Sequence, residues 1–262
     1  MSFPERIVCL TEEPTEVLYA LGEEDRIVGI TNFTVRPERA RKEKPRVSAF
    51  TSAHIDKILE LSPDLVIGFS DIQADIARDL IKEGVEVWIS NHRTVDGILA
   101  YVRRLGALVG AAAEADEYAA ALGEHVADVS AAAAAWEHRP RVYFEEWHDP
   151  LITGIGWVAE LIRIAGGEDV FPELSARSLA KDRIIADPAE VAARSPEVVL
   201  ASWCGKKVQF GHIYGRAGWE DVPAIRQRNV FEIDSSIILQ PGPAALTDGV
   251  DEIHRLLART LA

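Results

Sequence analysis

Cysteine is scarce. The 262 residues hold two, Cys9 and Cys204, with no C-x-x-C spacing, so the chain is not a disulfide scaffold and offers no thiolate pair for zinc or redox chemistry. Long apolar runs are also missing, and none approaches the roughly 20 residues of a membrane-spanning helix. Basic charge is in deficit, with 28 Lys and Arg against 42 Asp and Glu and a net charge of -14. Such a surface repels polyphosphate and argues against nonspecific binding to nucleic acid or an anionic membrane. Residues 1–6 lead at once into the strand-like Ile7–Leu10, leaving no room for an n-region, h-region and cleavage site. As written, the chain is expected in the cytoplasm; removal of a signal peptide would make it periplasmic or extracellular. Catalytic signatures are absent too. There is no G-x-S-x-G, no P-loop, no G-x-G-x-x-G after the first strand and no H-E-x-x-H, so acyl transfer, nucleotide hydrolysis and dinucleotide chemistry lack their usual parts.

What is present is an ordinary globular mix, 48% apolar and 27% charged. Strand-like runs at 6–10, 26–30, 65–69, 85–90, 141–145, 198–203 and 230–233 alternate with helical ones, the pattern of an α/β protein with mostly parallel sheets. Gly22 and Gly84 stand where left-handed caps close helices. From about Val95 to Glu137 the alternation stops, and alanine-rich sequence with Leu105, Leu108, Tyr118, Leu122, Val126 and Val129 on one face predicts one long packed helix or two in series. The expected organisation is an N-terminal lobe at 1–108, a bridging helix at 109–138 and a C-terminal lobe at 139–262.

The two halves echo each other. Ser62-Pro63-Asp64-Leu65-Val66 returns as Ser195-Pro196-Glu197-Val198-Val199, and Ala20-Leu21-Gly22-Glu23-Glu24-Asp25 as Ala165-Gly166-Gly167-Glu168-Asp169. Two echoes in the same order predict two Rossmann-like lobes of like topology.

Open parallel sheets bind ligands beyond the carboxyl ends of their strands, so a cleft between two such lobes is the expected site. The first lobe brings Glu13, Phe33, Phe69, Asn91 and His92 to strand ends, with Phe50 in the loop before its third expected strand. The second brings Glu146, Trp147, His148, Trp203 and Gln240. Aromatic side chains at strand ends suggest cover by something flat or bulky. Glu145 and Glu146 alternate across a strand and cannot act as an acid–base pair. His54, His92, His148 and His212 allow a divalent-metal receptor as an alternative.

With these residues in view, the chain resembles the substrate-binding proteins of cobalamin and iron-siderophore ABC importers. The resemblance lies in Arg6-Ile-Val-Cys-Leu-Thr through Gly22, in Val28-Gly-Ile-Thr31, in Ile58-Leu-Glu-Leu-Ser-Pro-Asp-Leu-Val66, in Ala165-Gly-Gly-Glu-Asp-Val-Phe171, in Glu190-Val-Ala-Ala-Arg-Ser-Pro-Glu197 and in Pro241-Gly-Pro243. It covers nearly the whole chain and leans towards the cobalamin branch.

The resemblance implies a class III periplasmic-binding-protein-like fold, two lobes joined by a rigid helix, with no catalysis and no cofactor. The bound molecule would be a cobalamin-like corrinoid or related metal chelate in the cleft, and the partner an ABC permease dimer. It also implies aromatic wall residues at Phe50 and Phe69, a further wall position at Leu151 or Ile152, and cleft loops at Asn91-His92 and Gln240. Asp71 or Asp75 in one lobe, and Asp187 or Glu190 in the other, match its permease-docking acids. The chain departs from the family in its first loop, where Thr11-Glu12-Glu13 replaces small neutral residues. Extra carboxylates there disfavour an anionic siderophore. A tetrapyrrole-handling enzyme using His148, Glu146 or His212 to deliver a metal is a further alternative.

Overall fold

The structure is a computed structural model and describes residues 3–49 and 52–261. Phe50 therefore lies outside the described residues. The chain divides into two compact units, one of Met1–His92 with Asp96–Leu122 and one of Arg93–Val95 with Gly123–Ala262.

The first unit is built on five parallel strands, β1 (Ile7–Cys9), β2 (Ile27–Thr31), β3 (Arg46–Ser48), β4 (Leu65–Phe69) and β5 (Val87–Ser90), in the order β3-β2-β1-β4-β5. The central strands β1 and β4 are buried on both faces, which is why they read as unbroken apolar runs. The second unit has β6 (Arg141–His148), β7 (Leu151–Thr153), β8 (Glu168–Asp169), β9 (Ile184–Ile185), β10 (Val198–Ala201) and β11 (Val230–Glu232). Its sheet runs β11-β10-β6-β7-β9, with β8 paired to β6. Here β10, β11 and β8 are parallel to their neighbours, whereas β7 returns antiparallel to β6 as a hairpin. The second sheet is therefore mixed.

The echoes in the sequence are echoes in geometry. Ser62 and Ser195 both sit at φ 46, in the left-handed region. The acid two residues on closes the same junction in each unit: Asp64 accepts the amides of Glu5 at 2.7 Å and Arg6 at 3.0 Å, and Glu197 accepts that of Arg141 at 2.9 Å. β4 then pairs with β1 as β10 pairs with β6. Removing one of these acids should loosen the strand start without touching the core. Asp64→Ala is expected to cost about 1–2 kcal/mol in urea denaturation, the scale of hydrogen bonds to a charged, exposed acceptor. A loss near zero would show that water replaces the carboxylate there.

The alanine-rich stretch forms two helices in series, Val95–Val109 and Ala112–Ala133. The break falls at Gly110, whose φ of +85 ends the first helix. Gly106 permits the tight turn, since a Cβ there would stand 2.1 Å from that of Ala115. The second helix buries Ala115, Ala119, Leu122, Val126, Val129 and Ala133, a stripe repeating every three or four residues. It has 22 residues, about 33 Å, and continues from the first unit into the second. Among the described residues no helix is long and apolar enough to cross a membrane.

Candidate functional site

In the second unit the chemistry gathers at the far end of β6. The strand reaches His148, three residues past the expected end at Glu145, because β7 folds back on it and pairs Trp147 with Ile152 and His148 with Leu151. This hairpin holds two aromatic residues outward in fixed register. The Trp147 indole donates to the Asp149 carbonyl at 2.9 Å, and the Lys206 ammonium lies over its ring at 4.7 Å. The His148 ring stacks on Trp203 at 4.1 Å and stands 5.2 Å from Trp147 and 5.5 Å from His212, which is carried by the helix Phe210–Tyr214. His148 Nδ1 is buried with no hydrogen-bond partner among the described residues. An unpaired buried imidazole nitrogen carries a desolvation cost that a partner would relieve.

The two glutamates of β6 go to opposite faces, as alternation requires. Glu145 is fully buried; it receives Arg216 at 2.7 Å and the Trp203 indole N–H at 3.3 Å. Glu146 forms a two-pronged pair with the buried Arg183 at 2.6 and 2.9 Å, and Arg183 also donates to the Thr153 carbonyl. Sequence reasoning missed both arginines, whose partners lie 71 and 37 positions away.

Trp203 is a correction. It was expected as a ligand wall, but it is only 2% exposed and belongs to the core with Tyr143, Phe171 and Trp219. The indole N–H must find an acceptor once desolvated, and Glu145 supplies it. Trp203 supports His148 from behind and does not face solvent. Glu146 is likewise occupied by Arg183. Gln240 is half-buried, and its carbonyl accepts the Gly242 amide at 2.8 Å.

In the first unit the strand ends hold an aromatic stack. Trp88 and His92 lie against Tyr101 at 5.3 and 4.8 Å, and Phe69 meets His92 edge-on at 5.3 Å. Phe33 and Asn91 are exposed, and Phe69 is buried at 5%. After β4 the chain turns sharply at Ser70, where φ 62 and ψ 177 fall in a region that is essentially glycine's. The Ser90 carbonyl accepts its amide at 2.8 Å and holds that turn in place.

Glu13 is the second correction. It was expected to present charge to a ligand, yet it is 1% exposed in the first turn of the helix Glu12–Ala20. One carboxylate oxygen accepts the Thr11 hydroxyl at 2.7 Å, and the other has no partner among the described residues. Burial, with help from Glu16, pushes its pKa up to about 7. It therefore adds little outward negative charge near neutrality, which weakens the argument from the first loop against anionic ligands.

No group of three or more His, Cys, Asp or Glu side chains suited to a metal ion occurs among the described residues. His148 and His212 do approach each other, whereas His54 precedes the helix Ile55–Glu60 of the first unit, exposed, and His92 is tied into the Tyr101 stack. Of the acids matched to docking, Asp71, Asp75, Asp187 and Glu190 are all exposed. Asp75 pairs with Arg78 at 2.6 Å, a surface contact of small energy. Asp187 caps the helix Pro188–Ala193 through the Ala189 amide at 2.8 Å.

Each of the two α/β units carries polar and aromatic residues at its strand ends. Residues 7–237 match the family model described as periplasmic binding protein, and the chain belongs to that family, whose members bind and do not catalyse. It is 28% identical over 245 residues to the vitamin B12-binding protein of Vibrio campbellii, covering 90% of this chain and 84% of the relative. Two solved structures share the class III fold. The periplasmic vitamin B12-binding protein BtuF of Vibrio cholerae has a TM-score of 0.79 and 22% identity, covering 100% of this chain and 99% of that one. The periplasmic heme-binding protein RhuT of Roseiflexus sp. RS-1, in apo form, has a TM-score of 0.80 and 24% identity, covering 97% and 99%. The chain is a substrate-binding protein of the ABC-importer type.

Proposed function

We propose that the ligand is a cobalamin-like corrinoid and that Trp147 and His148 on the β6–β7 hairpin contact it. The observation that carries this reading is the aromatic cluster on the hairpin, His148 stacked on the buried Trp203 at 4.1 Å with Trp147 tilted against it at 5.2 Å. Such a surface covers the apolar edge of a tetrapyrrole at little conformational cost, and an imidazole can pair with its amide groups. The vitamin B12-binding relative supports the choice of cobalamin. An ABC permease is the partner this reading implies, with exposed Asp71, Asp75 and Glu190 as docking acids.

The His148–His212 approach favours a second reading, heme, because two neighbouring imidazoles suit an iron centre. Calorimetric titration with cyanocobalamin and absorbance titration with hemin separate the two. The expected result is one cyanocobalamin site, weakened about tenfold in His148→Ala. No cyanocobalamin binding, together with a hemin Soret shift lost in a His148→Ala/His212→Ala variant, would replace cobalamin by heme.

A further inference from the structure

We infer that the second unit carries another binding site, for a small organic anion with an apolar body, in the cavity along the helix Gly156–Ile164. The cavity measures about 710 Å³, inside the roughly 300–1,000 Å³ range of small-ligand pockets. None of its walls belongs to the Trp147–His148 cluster. One end is formed by Arg139 and Glu168, and Glu168 pairs with Arg141 at the start of β6. His148 is the last residue of that eight-residue strand, roughly 23 Å away.

In a chain of net charge -14 the walls of this cavity hold four arginines, Arg93, Arg139, Arg163 and Arg177. Arg139 is fixed by donating to the Arg163 carbonyl at 2.7 Å. Arg163 and Arg177 are exposed, and neither guanidinium forms an ion pair among the described residues.

Three acids share the wall with them, Glu160, Glu168 and Asp169. Glu160 accepts the Val95 amide at 2.6 Å. Asp169 accepts the Phe171 amide at 3.1 Å and the Ser175 hydroxyl at 2.6 Å, and burial holds its carboxyl above the ordinary value. Only Glu168 is exposed.

Small side chains shape the space between these charges. Gly156, Ala159, Pro172 and Ala176 are among its lining residues. Gly156 is required for the shape, because a Cβ there would stand 2.5 Å from the Arg93 carbonyl oxygen. An apolar floor under a rim of arginines fits an acid group on the rim and an aromatic or aliphatic body beneath it. The inference is independent of which ligand the hairpin binds.

The test is fluorescence titration of the whole chain with 1-anilinonaphthalene-8-sulfonate, an anion of that build, beside its uncharged analogue N-phenyl-1-naphthylamine. One saturable sulfonate site is expected. It should weaken by about tenfold or more in Arg163→Glu/Arg177→Glu and in Ala159→Trp, while His148→Ala leaves it unchanged. The uncharged analogue should bind about tenfold more weakly than the sulfonate. Far-UV circular dichroism and thermal midpoints confirm that the variants fold. Absence of binding, binding indifferent to both cavity variants, equal affinity for the uncharged analogue, or loss in His148→Ala would each overturn the inference.

Discussion

Arg216→Met is expected to cost about 3–5 kcal/mol of folding stability, the range for removing one partner of a buried ion pair. Glu145 is fully buried in the middle of β6, and Arg216 is 12% exposed. Without the guanidinium, the carboxylate keeps the 3.3 Å contact from the Trp203 indole and no cationic partner recorded among the described residues. A charge left in that position pays its desolvation with almost no return. Urea unfolding should show a lower midpoint with an unchanged slope. The double variant Glu145→Gln/Arg216→Met should regain most of the loss, because it removes the stranded charge as well as its partner. A loss below about 1 kcal/mol in the single variant would mean that the pair is as well solvated as a surface contact. The consequence for binding is indirect: Glu145 fixes the indole on which His148 stacks, so the single variant should also weaken ligand binding through the hairpin.

The second large effect lies in the first unit and depends on pH. Glu13 has a folded-state pKa near 7 against an ordinary 4.5. The folded chain therefore keeps a proton that the unfolded chain releases, and stability is lost as pH rises from about 4.5 through 7. The difference amounts to roughly 3 kcal/mol by pH 8. Glu13→Gln retains a neutral side chain of the same shape and should escape this penalty. Urea unfolding at pH 4 and pH 8 is expected to show nearly equal stability at the lower pH and a variant more stable by roughly 3 kcal/mol at the higher one. Parallel behaviour of the two proteins would show that Glu13 is hydrated. The neighbouring Cys9 thiol, itself pushed up to about 12 by burial, and the buried Tyr101 stay neutral through this window and do not obscure the result.

Much of the architecture could be read from local pattern. Unbroken apolar runs located β1, β4 and β10, because strands buried on both faces need no polar side chains. The Ser-Pro-Asp and Ser-Pro-Glu echoes marked the same strand junction in both units, since a left-handed serine followed by an acid that accepts strand amides is a local device. Gly22 and Gly84, at φ +73 and +81, end their helices as expected. The short strands β3, β7, β8 and β9 were not anticipated. All four have only two or three residues, and their existence depends on a partner strand already in place.

Candidate residues at the strand ends could be named from the sequence, but their arrangement could not. The alternation of Glu145 and Glu146 followed from the period of a strand, but which arginine each would meet did not. Those contacts span 71 and 37 positions and leave no periodic trace. The sequence alone determined the class of fold, its duplication and the end of the sheet where aromatic residues collect, because these depend on periodicities of a few residues. Only the tertiary structure decided that Trp203 is core while His148 faces outward, that Glu13 is buried, and that four arginines share a cavity. Burial and pairing depend on what the rest of the chain brings alongside, and desolvation sets the energy of each group only after those neighbours are in place.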